Sequence, residues 1–203
     1  MRRTVIGIYG GTFSPPHIGH IRAAEAFAAS LCPDKLMVIP SAIPPHKAPV
    51  AGASAKDRVA MCRLAFSHIK NTEISDMEIC REGKSYTVQT LRALASEAVT
   101  LSMLVGTDML LSLDGWYCAE EIFSLTEISV IRREEDPALS AAIAAKCEEY
   151  RTRYAARLRM IPVAATVLSS SDIRAALAAN QPINGRLTPE VEAYIRECHL
   201  YQA

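Results

Sequence analysis

His17 and His20 lie three residues apart in Gly10-Gly11-Thr12-Phe13-Ser14-Pro15-Pro16-His17-Ile18-Gly19-His20, directly after a glycine pair and a proline pair. Imidazoles in such a setting can donate hydrogen bonds to anionic oxygens. The preceding run Thr4-Val5-Ile6-Gly7-Ile8-Tyr9 is apolar and β-branched, and predicts a buried first strand. The alanine-rich stretch from Ile18 to Ser30 predicts a helix. Between them the glycines let backbone N–H groups approach a ligand, while Pro15-Pro16 stiffens the turn. His17 and His20 then share one face of the first helical turn. The free N–H groups and positive dipole end there favour phosphate.

The bare His-x-Gly-His spacing is most simply a surface pair; the complete string behind an apolar strand points to phosphate. No G-x-G-x-x-G occurs at the first turn. Gly83-Lys84-Ser85 mimics the end of a P-loop, but Glu78 stands where its first glycine belongs.

Composition narrows the partners. The chain has 203 residues, 50% of them hydrophobic, enough to bury a core as one domain. Lysine plus arginine and aspartate plus glutamate are balanced at 22 each, with no block of like charge, so neither nucleic acid nor an acidic membrane is indicated. Cys32, Cys62, Cys80, Cys118, Cys147 and Cys198 form no C-x-x-C pair and no zinc spacing with the histidines, and read as reduced thiols. The apolar run after Met1-Arg2-Arg3 is broken by Gly7 and Gly10-Gly11, and no stretch reaches the roughly 18 apolar residues of a membrane span. A cytoplasmic protein acting on small molecules is the expectation. No oligomeric state can be read from the chain.

The elements that must position these residues alternate. Strands are predicted over 4–9, 35–40, 72–79, 99–105, 127–132 and 158–163. Helices are predicted over 18–30, 55–68, 87–98, 116–125, 137–157, 172–179 and 189–198. Such alternation implies a doubly wound α/β fold, a Rossmann-like parallel sheet with helices on both faces. Its ligands sit beyond the carboxyl ends of the strands, where the histidine loop lies. No repeat or Gly/Ser linker divides the chain, so 1–203 is expected to form one domain with helices over 172–203 packed on it. The loop over 41–54, with Pro44-Pro45-His46-Lys47, is long enough to be functional.

The histidine string resembles the (T/H)xGH signature of the nucleotidylyltransferase superfamily. Four further segments narrow the resemblance to the bacterial nicotinate-mononucleotide adenylyltransferases, and they follow that family's order. They are Ile43-Pro44-Pro45-His46-Lys47; Arg81-Glu82-Gly83-Lys84-Ser85-Tyr86-Thr87; Gly106-Thr107-Asp108 with Trp116-Tyr117; and Leu168-Ser169-Ser170-Ser171-Asp172-Ile173-Arg174. The resemblance implies joining of ATP to nicotinate mononucleotide, with release of pyrophosphate. Its nucleophile is a phosphate oxygen already anionic near neutral pH, so donors and positioning matter more than a general base.

The resemblance also assigns residues. His17, His20 and Arg174 become catalytic, with His20 near the α-phosphate and His17 on the leaving phosphates. ATP contacts extend over Gly10, Gly11, Thr12, Phe13, Gly106, Asp108, Ser169 and Ser170. The acceptor falls to Thr12, Lys47, Thr87, Trp116 and Tyr117. Plainer readings compete: a capped surface helix for the serine run, a solvated loop lysine for Lys47, a helix N-cap over 109–113 for Asp108, and a core residue for Trp116. Gly115-Trp116-Tyr117 is expected to open the helix to Leu125 and aim N–H groups at the pyridine substituent, unless Asp114 caps them. His46, His68 and His199 carry no assignment.

Two departures stand out. Ser14 replaces the usual Asp or Asn and is expected to cap the turn, and Leu168-Ser-Ser-Ser replaces Ile-Ser-Ser-Thr. Magnesium is expected on the ATP phosphates, with no metal ligands from the protein. Competing readings are an adenylyltransferase with a nicotinamide mononucleotide or phosphopantetheine acceptor, and a nucleotide-sensing protein without turnover.

Overall fold

The computed structural model describes residues 2–43, 52–81, 83–132, 137–163 and 168–202. Strands β1 (Thr4–Gly11), β2 (Lys35–Pro40), β3 (Thr72–Ile74), β4 (Val99–Gly106), β5 (Thr126–Ile131) and β6 (Leu158–Ile161) form one sheet. Its order is β3-β2-β1-β4-β5-β6, and every neighbouring pair is parallel. The helices are α1 (Ile18–Leu31), α2 (Ala55–Phe66), α3 (Thr87–Leu94), α4 (Thr107–Ser112), α5 (Ala119–Leu125), α6 (Pro137–Tyr154), α7 (Ser170–Ala178) and α8 (Pro189–Glu197). This is the doubly wound α/β arrangement expected from the alternation.

Side chains alternate across the strands and divide the core in two. Tyr9, Leu36, Val38, Leu104 and Ile131 face α1, α2, α7 and α8, where Phe27, Phe66, Ile173 and Val191 meet them. Ile8, Met37, Met103, Val105 and Val130 face the other helices, with Leu91, Leu110, Ile122 and Tyr150. α1 lies so close to β1 that a Cβ on Gly7 would stand 3.1 Å from the Phe27 ring and 3.2 Å from Leu31.

Strand order reverses between β1 and β4, and a ligand crevice opens at such a switch point. The histidine loop leaves β1 there and Gly106-Thr107-Asp108 leaves β4 there. Three expectations of the sequence are corrected nearby. Gly10 and Gly11 belong to β1 itself, paired with Ile39 and Pro40, rather than to the loop. β3 ends at Ile74 instead of continuing to 79, because it is an edge strand whose last ladder bond is Ser75 N–H to the Val38 carbonyl at 3.0 Å. α5 starts at Ala119 rather than at Trp116, because Cys118 adopts left-handed backbone with φ 55°.

Candidate active site

His17 and His20 cap α1 reciprocally. The His17 backbone N–H donates to His20 Nδ1 at 3.1 Å, and the His20 N–H donates to His17 Nδ1 at 3.3 Å. The helix starts with neither an Asp nor a Ser cap, so the imidazoles take over that duty. An Nδ1 that accepts carries no proton, so each neutral ring bears its hydrogen on Nε2. The rings stack with centroids 3.7 Å apart, and both residues line a cavity of about 400 Å³ at the switch point. His17 is 3% exposed.

The loop between β1 and α1 is held from several sides. Phe13 takes φ 48°, and its ring packs so tightly on Gly11 that a Cβ there would lie 2.9 Å from it. Arg58, 6% exposed on α2, donates from Nη1 to the Thr12 carbonyl at 2.9 Å. Burial presses its pKa down, and among the described residues no carboxylate lies within ion-pair distance of it. Arg174 donates from Nη1 to the Ser14 carbonyl at 2.8 Å. Ser170 adds a bond from its hydroxyl to the Pro15 carbonyl at 3.0 Å.

Ser14 does not cap the turn as expected. Its hydroxyl is buried 2.9 Å from the Tyr201 hydroxyl, a contact spanning nearly the whole chain. Burial pushes the Tyr201 phenol up to about 12, while the Ser14 bond and the nearby Arg174 and Arg58 act against it.

The remaining candidates that fall within the described residues converge on the same cavity. Gly10, Gly11, Thr12, Phe13, Ser169, Ser170 and Arg174 line it on the β1 side, and Gly106 and Asp108 at the end of β4. α7 begins at Ser170 rather than 172; Ser169 caps it by accepting the Ser171 N–H at 3.1 Å. Asp108 is not a cap. The N-cap of α4 is Gly106 without a side-chain bond, and the exposed Asp108 carboxylate sits in the first turn at the cavity.

Thr87, Trp116 and Tyr117 line the other end, with the Tyr117 ring 4.8 Å from that of Tyr86. Here the backbone differs from expectation. The Trp116 N–H is consumed by the Leu113 carbonyl at 3.1 Å, closing a 3₁₀ turn over Leu113–Gly115. Tyr117 alone of the pair keeps an N–H that no acceptor among the described residues takes. Asp114 does not cap it. Its carboxylate is drawn to Lys146 at 2.8 Å and the Tyr150 hydroxyl at 2.9 Å, and the Lys146 bond holds its pKa below the usual carboxylate range.

Lys47 and His46 lie outside the described residues, as does most of the 41–54 loop. His68 pairs with Glu25 at 2.9 Å on the surface, and His199 is an exposed turn residue with φ 51°. Among the described residues no three His, Cys, Asp or Glu side chains gather as a metal cage. Sequence reasoning missed Arg58, Tyr201 and Glu78. Arg58 did carry a signal: with Met61, Cys62 and Ala65 it forms a 3-4-7 stripe, a charge on a buried helix face.

Comparison with known proteins bears on the family and the fold. A cytidylyltransferase-like family model matches residues 8–176. The chain is 36% identical to a probable nicotinate-nucleotide adenylyltransferase of Chromobacterium violaceum, over 97% of this chain and 98% of the relative. A protein of the same description from Acidithiobacillus ferrooxidans is 38% identical over 97% of this chain and 95% of its own length. The solved Plasmodium falciparum nicotinic acid mononucleotide adenylyltransferase complexed with NaAD superposes with a TM-score of 0.75 at 18% identity, covering 98% of both chains. That likeness is one of fold.

Proposed function

The chain belongs to the cytidylyltransferase-like family and, within its relatives, to the nicotinate-nucleotide adenylyltransferases, and from that premise we propose how its cavity works. The adenylyl group of ATP passes to nicotinate mononucleotide, giving nicotinate adenine dinucleotide and pyrophosphate for NAD synthesis. An anionic oxygen of the mononucleotide phosphate forms a bond to the α-phosphorus as the bond from that phosphorus to the bridging oxygen breaks. The electron pair leaves with pyrophosphate. No proton need be removed from the nucleophile. The enzyme's task is to hold two anions in line and to stabilise charge on the oxygens that gain it.

The observation that carries this reading is the paired cap, which puts the ring proton of both cavity imidazoles on Nε2. His20 would serve the α-phosphate and His17 the leaving phosphates, with Arg174 beside them as a planar cationic donor. Asp108 would accept from an adenosine ribose hydroxyl. Thr87, Trp116 and Tyr117 would receive the pyridine, and Lys47 the mononucleotide phosphate. ATP would arrive with a divalent cation, magnesium, supplying charge neutralisation on its phosphates. An ion held through phosphates and water would ask no carboxylate cage of the protein.

We infer that the whole chain acts as one nucleotidyltransferase domain, since Tyr201 near its end supports the loop near its start. A cytoplasmic setting fits the six cysteines, none in a disulfide. Within the described residues no helix is long and apolar enough to cross a membrane. Pyrophosphate release measured with ATP and a panel of acceptors tests the function. Turnover with nicotinate mononucleotide is expected, and turnover with phosphopantetheine alone would overturn the reading.

A further inference from the structure

Glu78 is 8% exposed and lines the cavity at the end that holds Thr87. Its Oε1 accepts the Thr90 hydroxyl at 2.7 Å, and Thr90 in turn accepts from Arg81 Nη2 at 3.3 Å. Thr87 and Thr90, three residues apart, share one face of α3, so Glu78 sits one helical turn from the residue assigned to the acceptor. No donor among the described residues reaches Glu78 Oε2, and that oxygen is not sealed from solvent. A structural ion pair would bring guanidinium and carboxylate into direct contact. Here the Thr90 hydroxyl stands between them, and Glu78 rather than Arg81 lines the cavity. Taking an ionised carboxylate out of water is costly unless an opposite charge or donors compensate. The cavity's imidazoles and its arginine, His17, His20 and Arg174, belong to the phosphate end.

We propose that Glu78 is a specificity-determining residue that reads the positive charge of an N-glycosyl pyridinium acceptor, so that a cationic ring is taken in preference to a neutral one. This rests on the adenylyl-transfer reading above. The ring nitrogen of a pyridine mononucleotide is quaternary and positive whatever its carboxyl substituent. An opposite charge beside it in a site of low dielectric favours that ring over its neutral dihydro form, which has nearly the same shape. The substituent itself must turn from Glu78 toward the Thr87 hydroxyl and the Tyr117 N–H, since two carboxylates side by side repel.

The test compares nicotinate mononucleotide with its 1,4-dihydro form at saturating ATP, for the parent enzyme and Glu78→Gln, together with ATP binding. Gln keeps the shape and can still accept the Thr90 bond. The parent should favour the cationic ring by about tenfold or more in kcat/KM; Glu78→Gln should lose about tenfold for that ring alone, chiefly through KM. ATP affinity and the dihydro acceptor should hardly change. Equal loss for both acceptors, as a bond to a ribose hydroxyl would give, overturns the proposal. So does a parent enzyme that uses both rings equally, a result independent of whether the variant folds. Absence of turnover with either acceptor would instead overturn the adenylyl-transfer reading.

Discussion

The imidazoles of His17 and His20 each accept the other's backbone N–H on Nδ1, at 3.3 and 3.1 Å, so one pair of side chains both starts α1 and arms the cavity. The two duties can be separated. Asn is an effective N-cap but carries nothing equivalent to Nε2–H at that reach. His17→Asn should therefore melt within a few degrees of the parent, while turnover falls.

For His20→Ala both duties go. Loss of one preorganised donor is worth about 2.7 to 4 kcal/mol, roughly a hundredfold or more in kcat at saturating ATP, with a smaller change in ATP affinity. Loss of the cap should cost about 1 kcal/mol of stability. Steady-state kinetics and thermal melts read the two effects separately. Turnover within threefold of the parent would remove His20 from the chemistry.

Arg58 touches the reaction at one remove, through the Thr12 carbonyl. It does not line the cavity, so its part is to position the loop. Arg58→Ala should lower kcat by roughly ten- to a hundredfold, the scale of a misplaced reacting group. Millimolar guanidinium should restore part of that loss. A variant that loses stability but keeps its turnover would show that the loop sets itself without Arg58.

What could be read in the sequence follows from the range of the forces involved. Apolar runs such as Val99 to Val105 and the alanines of α1 declare their elements by local pattern, and parallel order follows from alternation. The loop's function was legible because the two histidines, the glycines and the prolines are neighbours in the chain. Ser14 gave no sign of Tyr201, because a contact between distant residues leaves no local period. Cys118 gives no local sign of its left-handed backbone, so the pattern alone runs α5 back to Trp116 and leaves open an N–H that the Leu113 carbonyl takes. The pattern over 72–79 is that of a single strand and conceals Glu78 within it, whereas β3 ends at Ile74 and the chain has turned toward the cavity before Glu78.

The Ser14 and Tyr201 hydroxyls are partners in a buried place, and removing either strands the other. Ser14→Ala and Tyr201→Phe should each cost about 1 to 3 kcal/mol, and the double variant less than their sum. Ser14→Asp should behave differently. It sets a carboxylate near Arg58, which among the described residues has no acid partner, and near Arg174. Ser14→Asp should keep kcat within threefold and raise the melting temperature by about 2 to 4 °C for each kcal/mol gained. Loss of catalysis would show that the loop cannot take the charge.

Preference for the nicotinate over the nicotinamide acceptor follows from which backbone groups remain open. The Trp116 N–H is spent on Leu113, and Asp114 is drawn away by Lys146 and Tyr150, so it neither blocks nor repels a ligand at the lip. The Thr87 hydroxyl and the Tyr117 N–H remain, and both residues line the cavity. A carboxylate accepts from both; a carboxamide must turn its NH2 toward one of them and leave it poorly satisfied. Hydrogen bonds to a charged group contribute about 1.5 to 3 kcal/mol, so kcat/KM should favour the acid by roughly tenfold or more. Glu78 does not alter this comparison if it faces the ring, since both acceptors carry the same pyridinium charge. Were its open oxygen to face the substituent, it would accept from the amide and repel the acid, and the preference would reverse. Measuring both acceptors at one ionic strength, in the parent and in Thr87→Val, therefore decides the orientation of the ring. The acid should be preferred, and the preference should shrink in Thr87→Val; equal values, or an amide preference, would place the substituent against Glu78 instead.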